Sequence, residues 1–124
     1  MTNAKTALTP APPPVTSQLV EFTISDQLGE GQMRDEINVI IDGKSVGALK
    51  ASLDDPAEEM LVTVPTAGQH SYTILSKTLV DINGTPTVVE GTGQGTIQVE
   101  QGKRYHVTCK ENGSMYLLTL LEEQ

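Results

Sequence analysis

From Ser17 onward apolar and polar residues alternate with period two and are punctuated by turn residues, the pattern of strands with one buried face. Val20, Phe22 and Ile24 share one side of the first segment, with Glu21, Thr23 and Ser25 opposite. Ile37, Val39 and Ile41 repeat the pattern and end at Asp42-Gly43, a pair suited to the positive φ angles of a type I′ turn. A return strand over residues 45–51 follows, and then a polar connection from Leu53 to Glu59 that predicts a short helical turn capped by Asp54 or Asp55. Met60, Val62 and Val64 share the next inward face, the segment Pro65 to Gly68 turns the chain, and His70, Tyr72 and Ile74 lead a long strand running toward Val80. Asn83-Gly84, Gln101-Gly102 and Asn112-Gly113 predict three further turns, with Ile97 and Val99 alternating between the first two and Tyr105 to Cys109 filling the gap before the last.

Two stretches break the alternation. Gly91, Gly93 and Gly95 fall at every second position and so on one face, where they permit a bulge, a bend or close backbone approach, and a sheet-switching corner is the simplest account. The last segment, Met115 to Leu121, is apolar on both sides, so it needs cover twice: either it is central with a loop over its outer side, or that side meets another molecule. Helical periodicity is nearly absent. The expected fold is therefore all-β, an immunoglobulin-like antiparallel β-sandwich of about seven to nine strands over residues 17–124.

Residues 1–16 carry Pro10, Pro12, Pro13 and Pro14 among small and polar residues, which predicts a flexible tether ahead of a single domain in a chain of 124 residues. Trp is absent and Phe22 is the only Phe, joined by Tyr72, Tyr105 and Tyr116, so the chain is poor in the aromatic platforms that stack sugars or single-stranded nucleic acid. A formal charge of -8 repels phosphate backbones and anionic membrane surfaces, which argues against nucleic acid and direct membrane insertion. No apolar run reaches the length of a membrane helix, and the first residues lack the apolar core of a secretory signal.

Cys109 is the only cysteine, so no intrachain disulfide can form, and alternation places it with Tyr105 and Val107 as an expected buried, inert thiol. His70 and His106 sit on different strands with no third ligand at a recognisable spacing, and neither has an evident nucleophile beside it. The glycine spacing at 91, 93 and 95 is followed by no Lys-Ser/Thr pair, so it does not read as a phosphate loop. Carboxylates cluster at Asp26 and Glu30, at Asp35-Glu36, at Asp54-Asp55 and at Glu58-Glu59. Solvated loop charge is the simpler account, and if a metal binds, Asp54, Asp55 and Glu58 are the expected calcium ligands. No cofactor and no catalytic residue is expected.

Three segments, Ile37 to Gly47 with its Asp42-Gly43-Lys44 turn, Val64 to Tyr72 with Pro65-x-x-Gly68-x-His70, and Val99 to Val107 with Gly102-Lys103-x-Tyr105, together resemble small β-sandwich modules of bacterial surface proteins and lipoproteins of the PEGA-like and DUF2846-like kind. The likeness runs over roughly residues 37–108, departing at Thr66-Ala67 and in the lack of a lipidation cysteine near the start. It implies an extracytoplasmic, periplasmic or surface, non-catalytic module.

The functional expectation is a binding or structural domain of an envelope or secreted protein that contacts another protein, or a second copy of itself, through Tyr116, Leu118 and Leu120 of the last strand. Alternatives are a carbohydrate- or calcium-dependent binding module, and an enzyme inhibitor acting through an exposed loop such as Gly29 to Arg34.

Overall fold

The computed structural model describes residues 19–123, and the tether expected over residues 1–16 lies outside them. Eight strands are formed, β1 (Val20–Gln27), β2 (Gln32–Ile41), β3 (Lys44–Ser52), β4 (Ala57–Val64), β5 (Gly68–Ile82), β6 (Thr85–Val99), β7 (Arg104–Asn112) and β8 (Met115–Glu122), and no helix occurs among the described residues. They join in one nearly closed sheet, in the order β3-β2-β5-β6-β8-β7-β1-β4. The halves β3-β2-β5-β6 and β8-β7-β1-β4 enclose the core, and the two end strands, β3 and β4, come side by side. The all-β sandwich expected from alternation is thus present, with its layers continuous through β6 and β8.

The tight turns follow from their residues. Asp42 (φ 50°) and Gly43 (φ 81°), like Asn83 (φ 53°) and Gly84 (φ 84°), take the two successive positive φ values of a type I′ hairpin, which Asp, Asn and Gly tolerate best. Residues 53–55 form a bend instead of the expected helical turn. Ser52 and Asp55 exchange both backbone hydrogen bonds, at 3.0 and 3.1 Å, and Pro56 steers the residue before it away from helical φ/ψ.

Pairing is antiparallel except at two short parallel junctions, β1 with β7 and β6 with β8, which the local hairpin pattern of the sequence does not announce. The second junction depends on the glycine strip. Gly91, Gly93 and Gly95 stand opposite the inward residues Ser76, Ile74 and Tyr72 of β5, so their missing side chains leave space inside the sandwich, not outside. Into that space β8 passes: a Cβ on Gly93 would land on the Leu118 carbonyl, and one on Gly91 would meet Ser76 Oγ and Tyr116 Cβ. Gly95 leaves room for the Tyr72 ring, whose hydroxyl accepts from Leu120 N at 3.3 Å and carries the link between halves beyond the last parallel pair. The corner expected from the glycine spacing is here the crossing point of the two layers.

Phe22, Ile24, Ile37, Val39, Leu49, Ile74, Val99 and Tyr105 fill the fully buried centre. Phe22 and Tyr105 meet edge to face, centroids 5.7 Å apart and planes at 88°, a geometry that adds about 1 kcal/mol to simple burial. Tyr105 keeps its hydroxyl satisfied by donating to the Gln98 carbonyl of β6, a second tie between halves.

Candidate functional site

The inward rows of β1 and β2 both end in a carboxylate. Asp26 follows Phe22 and Ile24 in phase, and Asp35 precedes Ile37, Val39 and Ile41 in phase, so both point inward where the pattern otherwise supplies an apolar residue. Each is only 5 % exposed. Asp35 accepts a hydrogen bond from Thr78 Oγ1 at 2.6 Å, whereas Asp26 Oδ2 is buried and meets no donor among the described residues. Burial, then the hydrogen bond and charge of the neighbouring Asp35, push the Asp26 carboxyl up to about 8. At neutral pH the Asp26 carboxyl is therefore largely protonated, which relieves its repulsion with the neighbouring Asp35.

These carboxylates line a pocket of about 340 Å³ at one end of the sandwich. Glu30 and Glu111 stand with them, Val107 and Leu118 supply apolar wall, and among the described residues no Lys, Arg or His lines it. An open groove of about 560 Å³ adjoins, lined by Ile82, Val88, Val89 and Met115 and sharing Glu30, Glu111 and Tyr116 with the pocket. The β1–β2 loop, the β5–β6 turn and the β7–β8 turn border the groove at this end, and the β3–β4 connection reaches the first of them at Pro56. Asp81 N donates to the Gly31 carbonyl at 3.2 Å and Leu28 N to Pro56 at 2.9 Å, which fix the first of these against its neighbours. The loop Gly29 to Arg34 named from sequence lies here too, its second half already in β2, where the register shifts between Gln32 and Arg34.

Several sequence expectations change place. Leu118 and Leu120 are 5 % and 6 % exposed and Tyr116 is half-buried, all on the inner side of β8, so they are core and not a docking face. The physical reason is centrality: β8 lies between β6 and β7, and its inner side closes over the glycine strip. Its open side is the opposite one, Met115, Leu117 and Leu121, with Leu117 44 % exposed and aligned through Thr92 with Leu75 of β5. Asp54, Asp55 and Glu58 do not converge; among the described residues no three His, Cys, Asp or Glu side chains are grouped to hold a metal ion. Glu58 is drawn up by the adjoining Asp55 carboxylate, a two-residue contact at the surface.

Cys109 faces inward with Tyr105 and Val107 as alternation requires, but it sits at the open end and is exposed within the pocket. Desolvation and the surrounding carboxylates, Asp35 first, push its thiol up to about 11, so it is a thiol and not a thiolate at neutral pH. The burial expected from alternation is thus not realised, and partial desolvation together with the nearby carboxylates is what keeps the thiol protonated. His106 pairs loosely with Glu123, Nδ1 to Oε2 being 3.7 Å.

His70 is buried at the far end of the sandwich. Its Nδ1 lies 2.5 Å from Asp42 Oδ2 and its Nε2 2.7 Å from the Thr66 carbonyl, so both ring nitrogens face acceptors and only the imidazolium satisfies both. The Asp42 hydrogen bond holds His70 above its ordinary value, and the same bond, with that from Ser71 N, holds Asp42 below its own. The depressed Asp42 contributes stability above its ordinary pKa that is lost as pH falls through its folded value. The raised His70 contributes stability below 6.5 that is lost as pH rises through its folded value. Asp42→Asn, which tolerates the positive φ of this position, is expected to move the His70 titration down toward 6.5, as read by NMR of the ring protons.

No family model matches the chain, so the PEGA-like and DUF2846-like resemblance stands on its turn residues alone. No curated protein matches either. Among solved structures, the chain is similar to one of a protein from Bacteroides fragilis NCTC 9343 named as a candidate cell adhesion protein, at 18 % identity and a TM-score of 0.43. The likeness covers 86 % of this chain and 46 % of the other, so this chain spans less than half of that protein's length.

Proposed function

We propose that the chain is a non-catalytic binding module of a bacterial envelope or secreted protein, engaging another protein through the end that carries the acidic pocket. The observation behind this reading is the juxtaposition there of two buried carboxylates, an acidic rim and an apolar groove, the combination of buried anchor site and apolar surround that recognition surfaces use. The location outside the cytoplasm rests on the resemblance of the Asp42-Gly43-Lys44, Pro65-x-x-Gly68-x-His70 and Gly102-Lys103-x-Tyr105 turns to envelope modules. The loop Gly29 to Arg34 belongs to the same end, so an inhibitory role would use the same surface. Nucleophilic chemistry at Cys109 is disfavoured by the high thiol pKa. A second reading, acid–base hydrolysis by Asp26 and Asp35, is favoured by the raised Asp26 carboxyl beside a second buried carboxyl group and predicts turnover that depends on both.

The test is affinity capture from the source organism's extract with the full chain, compared between Glu30→Lys at the pocket rim and Leu117→Lys on the outer face of β8, both at exposed positions. A partner lost with Glu30→Lys and kept with Leu117→Lys is the expected result. The reverse pattern moves the interface to the outer face and overturns the placement.

A further inference from the structure

The floor of the acidic pocket is asymmetric: Asp35 has its donor in Thr78, while Asp26 offers a buried oxygen that meets no donor among the described residues. An oxygen in that position is matched by a ligand that brings N–H groups with it. Asp26 and Asp35 on the floor and Glu30 and Glu111 farther out are accompanied by no basic side chain among the described residues, so the pocket favours positive charge throughout its depth. Val107 and Leu118 flank it with apolar wall, which suits the aliphatic stem behind a charged head. Among the described residues no three carboxylates are gathered about one point as a metal ion requires, so a cationic side chain suits the pocket better than a metal ion.

We propose that this pocket is the receptor for one cationic side chain of a partner protein, a lysine ammonium or arginine guanidinium, seated on Asp26 and Asp35 with its stem along Val107 and Leu118. The inference deepens the reading of this end as the binding surface and rests on it. A volume of about 340 Å³ admits one such side chain, and the adjoining groove offers Ile82, Val88 and Met115 to the apolar residues beside it in the partner.

Binding has a proton signature. The head displaces the proton that Asp26 holds up to about 8. The other titratable groups facing Asp26 are Asp35 from β2, Glu30 from the β1–β2 loop, Cys109 and Glu111 from β7, and Tyr116 from β8. Cys109 and Tyr116 are both pushed upward by burial and stay neutral through this range, so they neither take up nor release protons in competition. With one proton released per cation, affinity rises about fiftyfold from about pH 6 to about pH 8.

The experiment titrates the full chain with N-acetyl-lysine amide and N-acetyl-arginine amide, with N-acetyl-norleucine amide as the uncharged control and calcium chloride as the metal control, followed by NMR of the carboxyl carbons. The expected result is saturable shifts of Asp26 and Asp35 with the lysine or arginine probe, stronger at the higher pH, lost in the isosteric Asp26→Asn and not produced by norleucine. Equal response to norleucine, response to calcium alone, or cation binding unchanged in Asp26→Asn overturns the proposal. If neither cationic probe binds while Glu30→Lys still loses the captured partner, the cationic anchor falls and the placement of the binding surface stands.

Discussion

Alanine at Gly93 is expected to leave a chain without a cooperative unfolding transition, or with a midpoint lowered by roughly 15 °C or more, although it adds a single methyl group. Gly93 is not among the positive-φ glycines, so backbone strain is not the cause; the added carbon would occupy the position of the Leu118 carbonyl. A flexible side chain could swing away, but a main-chain carbonyl moves only if β8 moves. That strand pairs with Gly91 and Thr92 of β6 at the parallel junction and donates from Leu120 N to the Tyr72 hydroxyl, so displacing it opens the seam between the halves. Overpacking a core with side chains that can adjust costs about 1–3 kcal/mol, and a collision with backbone exceeds that against a total stability on the order of 5–15 kcal/mol. The comparison is Gly102→Asn, where φ is 82° and open space surrounds the added Cβ, and where asparagine tolerates the conformation; a loss of about 1 kcal/mol or less is expected. Thermal denaturation followed by circular dichroism separates the two. A Gly93→Ala midpoint within a few degrees of the parent would show that the β6–β8 crossing yields easily.

The crossing and the acidic pocket illustrate what alternation makes legible. The inward rows of Val20, Phe22 and Ile24 and of Ile37, Val39 and Ile41 are written locally, because each strand buries one face and each type I′ turn announces itself in two residues. The same rule marked Gly91, Gly93 and Gly95 as a one-sided feature, but which strand would enter the space is a long-range fact, set by β8 and invisible in the residues around position 93. The last strand shows the opposite failure. Its two apolar faces are equivalent in the sequence, and only the sheet order decides that Leu118 and Leu120 face the core while Leu117 and Leu121 face outward. For the pocket the signal was present: Asp26 and Asp35 are in phase with buried rows. Read as ends of strands they pass for solvated loop charge, and read as members of the inward row they are carboxylates in core positions. Their pairing across β1 and β2, which are not neighbours in the sheet, could not be read from either strand alone.

That placement gives the protein a pH dependence of unusual sign. An ordinary surface carboxylate, stabilised by charge partners in the fold, has a depressed pKa and favours the native state as pH rises. Asp26 does the reverse, since its folded value stands at about 8 against an ordinary 3.8. Between these values the folded chain holds a proton that the unfolded chain has given up, so stability falls as pH rises through this window and is flat below and above it. The whole shift corresponds to about 6 kcal/mol, and screening by solvent at the open end reduces the expected loss to the order of 2–4 kcal/mol between about pH 4 and about pH 8. Asp26→Asn keeps the shape of the side chain, supplies the N–H that the buried Oδ2 position needs toward Asp35, and has no proton to lose. The variant is therefore expected to match the parent near pH 4 and to exceed it progressively toward pH 8, in urea unfolding run across that range. The His70–Asp42 pair loses its contribution as pH falls through the folded value of Asp42 and as pH rises through that of His70, and is common to both proteins, so it cancels in the difference. Parallel curves for parent and variant would mean that Asp26 ionises in the fold much as it does in the unfolded chain, and would remove the held proton from the pocket. A divergence that opens between about pH 4 and about pH 8 would establish that the fold gives up stability at neutral pH to keep a carboxyl pair at its open end, as a binding site does and a purely structural core has no reason to do.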